Sequence, residues 1–335
     1  MPLKLLEKSD LEKLCKRREG ETKLGEGLKC GSELQLSDLN EVDARFVVIG
    51  VPEDAGPRAN HGRAGAESGW QYFLNAFLNL QENQYLKSES ILMLGEIDIR
   101  EMPNYHSTDI TKLRALVSKL DQEVSELIEM LVKAGKIPIL IGGGHNNAFG
   151  LIKGCSKALG KTINCINFDP HTDYRDMEGR HSGNGFKYAR EEGYLDQYHV
   201  CGLHQNYNSA SILKQFREDK GLDFHSFDYS IIQANMSYKN MLKEGLEFVY
   251  GKGFGVELDC DGIQHFPSSA ITSSGFSPNQ ARMYAYKSGT CHNALYFHLT
   301  EAAPALAGDN ATKWGKLMAY LVSDFIKGKT QLFSK

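Results

Sequence analysis

The sequence predicts an α/β fold on a mostly parallel, doubly wound sheet. Three observations carry that prediction: eight short apolar runs flanked by Gly, Asp and His, helical periodicity between them, and several runs that are continuous rather than alternating. Strands covered on both faces lose the in–out alternation, and strands that alternate with helices favour parallel pairing.

In chain order the runs are 45–51, 91–95, 137–141, 162–168, 199–203, 223–227, 253–258 and 294–299. Between the second and third, Leu113, Leu116, Val117, Leu120, Val124, Leu127 and Leu131 recur at helical spacing, and Gly135 is placed to end that helix. Near the C-terminus Trp314, Leu317, Met318, Leu321 and Phe325 mark one face of a last helix, which Gly328 is expected to close. No Pro/Ser/Gly linker, low-complexity tract or internal repeat divides the chain. Residues 41–335 are therefore expected to form one domain, with the polar residues 1–40 as an N-terminal arm or oligomer contact.

Composition excludes several classes. With 335 residues, 41% of them hydrophobic and 24% charged, the chain can fold around its own core, so a metal would serve chemistry rather than folding. The net charge of −4, with no basic cluster interleaved with aromatics, predicts no nucleic-acid partner. The apolar runs are too short to span a bilayer, and the charged N-terminus lacks the apolar centre of a secretory signal, so a cytoplasmic protein without membrane contact is expected. Seven scattered cysteines show no CxxC spacing, and Cys165, Cys201 and Cys260 fall inside strand-like runs, as small buried hydrophobes would.

In doubly wound sheets ligands gather at the carboxyl ends of the strands. Three such ends carry metal-binding residue types here. Gly142-Gly-Gly-His145 delivers a histidine after a glycine turn, Asp169-Pro-His-Thr-Asp173 delivers Asp169, His171 and Asp173 at alternate positions, and Glu257-Leu-Asp-Cys-Asp261 delivers Asp259 and Asp261. Period-two spacing in an extended chain places each alternate set on one side. Four carboxylates crowded in one cleft repel one another, and divalent cations relieve that repulsion. An oxygen/nitrogen donor set without thiolate favours two Mn²⁺ or similar ions. Two such ions about 3.5 Å apart share a water and lower its pKa toward neutrality.

These three motifs resemble the metal motifs of the ureohydrolase (arginase/agmatinase) superfamily, over most of the chain from about Val48 to the final helix. The resemblance implies a three-layer α/β/α domain with a mostly parallel eight-stranded sheet and a binuclear manganese centre. It implies His145 and Asp173 on one metal, His171 and Asp261 on the other, and Asp169 and Asp259 bridging. It further implies a hydrolase of C–N bonds in linear amidines, a bridging hydroxide as the attacking group, a small-molecule substrate and a homo-oligomer.

Glu301, in Phe297-His-Leu-Thr-Glu301, matches the family's substrate-binding glutamate, and a cationic amidine needs a carboxylate for its N–H groups. Arginase-like members carry Ser-Gly-Asn-x-His after the second motif. This chain keeps Ser182 and Asn184 but has Phe186 where the proton-shuttling histidine belongs, which leaves Asp173 as the candidate proton relay. The stretch Arg58-Ala-Asn60-His-Gly-Arg63, Arg175 and the loop ending in Phe186 look like the formimidoylglutamase branch, which serves histidine catabolism. Its substrate carries two carboxylates, so Arg58, Arg63 and Arg175, with Asn60, Ser182 and Asn184, are the candidate substrate contacts, and Lys187 and Arg180 are weaker ones. The branch pattern often has threonine at Asn184, a departure. Arginase, agmatinase or another guanidino-acid hydrolase is the alternative, and a catalytically silent binding relative is the alternative of another class.

Overall fold

In the computed structural model, which describes residues 2–331, all eight expected runs are strands of one sheet. They are β3 (Phe46–Gly50), β4 (Ile91–Ile97), β5 (Ile137–Ile141), β6 (Ile163–Phe168), β7 (Leu195–Leu203), β8 (Leu222–Ser226), β9 (Phe254–Asp259) and β10 (Ala294–Thr300). Two short strands precede them, β1 (Leu3–Leu5) and β2 (Lys29–Cys30). The order is β1-β4-β3-β5-β10-β9-β6-β7-β8, with β2 also on β4. Every described pairing is parallel except β1 on β4. Between β5 and β6 the chain skips two positions, which β9 and β10 later fill. That reversal of strand order is where doubly wound sheets open a crevice for ligand.

Helices cover both faces. On one side the helix Ile110–Lys133 buries Leu113, Leu116, Val117, Leu120, Val124, Leu127 and Leu131, the periodicity read from the sequence. Asp109 caps it by accepting from the N–H groups of Thr111 and Lys112, and Gly135 follows it at φ +71°. On the other side the helix Ala311–Gln331 buries Leu317, Met318, Leu321 and Phe325. Gly328 does not end that helix: it lies inside it, where a Cβ would stand 2.3 Å from the Tyr286 carbonyl. The glycine is there for close helix packing, not for a cap.

Residues 2–40 also differ from expectation. Leu3–Leu5 hydrogen-bonds along β4, and Leu11, Leu24, Leu28 and Cys30 are fully buried in the same apolar cluster as Phe73 and Phe77. The segment is a part of the domain's core and not a free arm. Its polar composition hid a few well-spaced apolar anchors. All seven cysteines are free and five of them are buried. Among the described residues no helix is long and apolar enough to cross a membrane.

The helix Asn147–Leu159, which follows the first motif, is held against Ile110–Lys133 by two glycines. A Cβ on Gly150 would lie 2.8 Å from Val124 Cβ, and one on Gly154 would lie 2.7 Å from Ile128 Cβ. Gly154→Val is therefore expected to destabilise the fold by about 1–3 kcal/mol through overpacking. The urea midpoint should fall with an unchanged m value. An unchanged midpoint would mean that the two helices can part without cost.

Candidate metal centre and substrate cleft

The site stands at the carboxyl ends of four adjacent strands, β5, β10, β9 and β6. At the end of β5, Gly142 and Gly143 adopt φ of +88° and +70°, a turn that L side chains rarely allow. The end of β10 grips this turn: Gly142 N–H donates to the Leu299 carbonyl at 2.8 Å, and the Gly143 carbonyl accepts from Glu301 N–H at 3.0 Å and Thr300 Oγ1 at 2.9 Å. Below it the fully buried Glu53 carboxylate accepts from Gly144 N–H at 2.8 Å, Gly56 N–H at 3.1 Å and Asn147 Nδ2 at 3.0 Å. These contacts aim His145 at the other strand ends.

There the donors converge. His145 Nδ1 lies 2.9 Å from Asp173 Oδ2, 3.1 Å from Asp259 Oδ2 and 3.2 Å from Asp169 Oδ2. The other oxygen of Asp169 lies 3.3 Å from His171 Nδ1, so this carboxylate reaches both histidines. Asp259 Oδ1 accepts from Asp261 N–H at 2.7 Å, and Asp261 Oδ1 accepts from Ala270 N–H at 3.3 Å. Asp173 and Glu301 hold φ of +45° and +59° without being glycine. Strain of that kind persists where the surroundings over-determine it, commonly at functional sites.

The electrostatics call for cations. Burial, then Asp261 and Asp169, push the Asp259 carboxyl well above its ordinary range, and burial also raises Asp173 and Asp261. One imidazole nitrogen and three carboxylate oxygens, all within 4.8 Å of one another, form a set of the kind that Mn²⁺ takes. The residues thus fit a divalent cation among His145, Asp169, Asp173 and Asp259, with Asp169 leading on to His171.

Glu301 completes the cleft. Its Oε1 accepts from His145 N–H at 2.9 Å and its Oε2 from Ser269 Oγ at 2.9 Å. Burial and the nearby Asp261 raise its carboxyl to about 8. The substrate candidates separate into two groups. Asn60, Arg175 and Ser182 come together: Arg175 NH1 donates to Asn60 Oδ1 at 3.0 Å, and Asn60 Nδ2 points at Ser182 Oγ at 3.4 Å. Arg63, exposed, donates to the Ser268 carbonyl at 2.9 Å, beside the loop that carries Ser269.

The others turn elsewhere. All three guanidinium nitrogens of Arg58 are engaged, by Asp54 and the carbonyls of Ser107 and Tyr105. Asn184 is buried with its amide bound to Arg180, His181 N–H and the carbonyls of Asp176 and Gly179. Arg180 pairs with the buried Asp121, and Lys187 with Asp176. These residues hold loops, as polar residues near a site often do. Phe186 is fully buried, stacked on Tyr198 at 4.2 Å and edge-on to the His145 ring at 5.2 Å. It backs the His145 ring from the interior and presents no surface to solvent. Reading by motif missed Glu53, Glu257, His298 and Asn167, whose Nδ2 donates to Asp169 Oδ2 at 3.0 Å. The available signal for the last three was a polar residue inside an otherwise apolar strand.

The arginase family profile matches residues 44–326. The chain belongs to the arginase family. Among curated relatives, this arginase-family chain is 27% identical over 325 residues to the formimidoylglutamase of Streptococcus gordonii, covering 92% of both. It is 27% identical over 308 residues to that of Streptococcus pyogenes serotype M12, covering 85% of this chain and 87% of the relative. The formimidoylglutamase of Bacillus subtilis has the same fold, with a TM-score of 0.76 at 19% identity over 94% of each chain. So does the formiminoglutamase of Trypanosoma cruzi crystallised with Mn²⁺, at 0.73 and 20% identity, covering 92% of this chain and 98% of that one.

The loop behind Ser182 makes a pH prediction. The His181 Nδ1 accepts from Gly183 N–H at 3.1 Å, which requires a ring without a proton there. Burial lowers this imidazole to about 4 from its ordinary 6.5. Between those values the unfolded chain takes up a proton that the folded chain refuses, so folding stability falls as pH drops from 6.5 toward 4. Urea unfolding at pH 7, 6 and 5 should show this slope, and His181→Gln should reduce it. An equal slope in the variant would assign the loss to other groups.

Proposed function

We propose that this chain is a binuclear-metal formimidoylglutamase, hydrolysing N-formimino-L-glutamate to L-glutamate and formamide. The observation that carries the chemistry is the convergence of three carboxylate oxygens on His145 Nδ1 at 2.9–3.2 Å, with Asp169 reaching on to His171. His145, Asp169, Asp173 and Asp259 would hold one ion, and His171 and Asp261 would join Asp169 and Asp259 around the second. Manganese is favoured by the donor set and by the Mn²⁺ named for the Trypanosoma cruzi structure. When bound, such ions polarise the substrate and ionise water near neutral pH.

The chain's own groups do the rest. With divalent cations beside it favouring its ionised form, Glu301 would accept the N–H groups of the cationic amidine and orient its carbon over the strand ends. Water adds to that carbon, the bond to the glutamate nitrogen breaks, and the departing nitrogen takes a proton. We assign that proton to Asp173, whose side chain is 13% exposed, against 0% for Asp169 and 3% for Asp259. Asn60, Arg175 and Ser182 offer polar and cationic contacts for a substrate with carboxylates, and Arg63 is a further cation beside the Ser268 loop. The formimidoylglutamase names of the curated relatives support the same substrate. We extend the reading to a cytoplasmic homo-oligomer acting in histidine catabolism, on the family resemblance.

A manganese-reconstituted assay offering formiminoglutamate, arginine and agmatine in parallel tests this function. Formamide release from the first alone is the expected result. Urea from arginine without formamide would overturn the substrate, and metal binding without any turnover would overturn catalysis.

A further inference from the structure

Glu257 stands inside β9, between the apolar Val256 and Leu258, fully buried and, among the described residues, with no lysine or arginine bonded to it. A carboxylate in that setting costs several kcal/mol unless its oxygens are engaged. Both are. Tyr296 Oη donates to Oε1 at 2.6 Å, and His298 Nδ1 lies 2.5 Å from Oε2. The register explains the meeting: His298 is the cross-strand partner of Glu257, and Tyr296 is the partner of Gly255, on the same face of the sheet. Gly255 leaves the necessary room, since a Cβ there would fall 2.2 Å from the Tyr296 hydroxyl. Four residues on two strands thus form a single built feature.

That feature faces the metal centre. His145 turns Nδ1 toward Asp169, Asp173 and Asp259, while its Nε2, buried and without a hydrogen-bond partner, lies 3.4 Å from Glu257 Oε2. An imidazole that offers one nitrogen to a cation carries its proton on the other, and a carboxylate on that proton fixes the ring and makes the ligand nitrogen more basic. We propose that Glu257, clamped by Tyr296 and His298, is a positioning residue that accepts the Nε2 proton of His145 and thereby commits Nδ1 to the cation. A contraction of the 3.4 Å contact by a few tenths of an ångström completes the hydrogen bond. The two strands that hold the clamp lead into Asp259 and Glu301, so the same pair of strands would place a ligand, the amidine carboxylate and the support of a second ligand.

This inference rests on the metal-centre reading above, and the test separates the two. Calorimetric titration of Mn²⁺ into the metal-stripped full chain gives the affinity, and the electron paramagnetic resonance spectrum of the bound ion gives its surroundings. Glu257→Leu is expected to weaken the His145 ion by about 10–100-fold, the usual cost of losing such a support. Its spectrum should change, while KM for formiminoglutamate at saturating Mn²⁺ should not. Glu257→Gln keeps an acceptor and should recover most of the affinity. If Glu257→Leu does not fold, Tyr296→Phe removes one arm of the clamp without adding bulk and should weaken the ion a few-fold. Unchanged affinity in these variants would overturn the proposal. Lower metal-free unfolding stability with wild-type affinity would also overturn it, by showing a structural role only. Loss of a third Mn²⁺ equivalent would overturn it in favour of a cation held by His145, Glu257 and His298 themselves. If the wild-type chain binds no Mn²⁺, both this proposal and the metal-centre reading fall, whereas normal wild-type binding with unaffected variants removes only this one.

Discussion

Asp259→Asn is expected to lower kcat/KM by at least about three orders of magnitude, because under the proposed function several kcal/mol of transition-state stabilisation would depend on the cations it would help to hold. The replacement is almost isosteric, so the loss isolates charge. Asp259 Oδ2 stands 3.1 Å from His145 Nδ1, and Oδ1 accepts from Asp261 N–H at 2.7 Å. An asparagine oxygen can keep the second contact but brings no charge to the first. The metal-free protein should respond in the opposite sense. Asp259 is fully enclosed beside Asp261 and Asp169, and burial and those two carboxylates together disfavour its ionised form. Removing one charge from that group eases the repulsion. The variant stripped of metal should therefore unfold at the same or a higher temperature than stripped wild type, and added Mn²⁺ should raise its unfolding temperature less. Thermal scans of both proteins with and without Mn²⁺, beside metal content after desalting, check the pair of statements. Full metal content with full activity would show that Asp259 is not a ligand.

Glu301→Ala is expected to reduce kcat/KM by about 10²–10³-fold, which corresponds to truncating one partner of a buried charged hydrogen bond. Two losses combine. The amidine of the proposed substrate would lose its carboxylate, and the His145 N–H loses the acceptor that stood 2.9 Å away. Glu301→Gln separates them, since its oxygen can still accept from His145 while the negative charge is gone. If the charge matters, the Gln variant falls nearly as far as Ala in kcat/KM yet retains wild-type unfolding and metal content. Recovery of wild-type kcat/KM by Gln would reduce Glu301 to a brace for the glycine turn. The positive φ of +59° at this residue makes the measurement informative, because both variants must adopt the same backbone.

Legibility followed physical range. The strands were readable because a run covered on both faces has to be apolar throughout, a local demand visible in any window of a few residues. The six candidate ligands were readable because alternate spacing at a strand end puts side chains on one side whatever lies around them, and of these the fold gathers His145, Asp169, Asp173 and Asp259 most closely. Arg58 shows where this stops. Its sequence neighbourhood matched a substrate loop, but Asp54 and the carbonyls of Ser107 and Tyr105 surround it, and those carbonyls come from a segment almost fifty residues away. Asn184, which its motif marks as a substrate contact, is likewise a hub of its own loop. A polar side chain near a cleft goes to whichever partner the folded chain brings closest, and the motif does not encode that competition.

The sequence by itself determined the strands, the helical faces and the candidate metal-binding residues at the strand ends, all properties of short segments with fixed periodicity. Tertiary structure alone decided how β9 and β10 fill the gap between β5 and β6, which brings the four strand ends together. It also decided that residues 2–40 close the core, that Gly328 packs rather than caps, and that Glu257 lies behind His145. Each of these depends on contacts between residues far apart in the chain, and such contacts are fixed only when packing selects one register and one partner from many that local pattern permits.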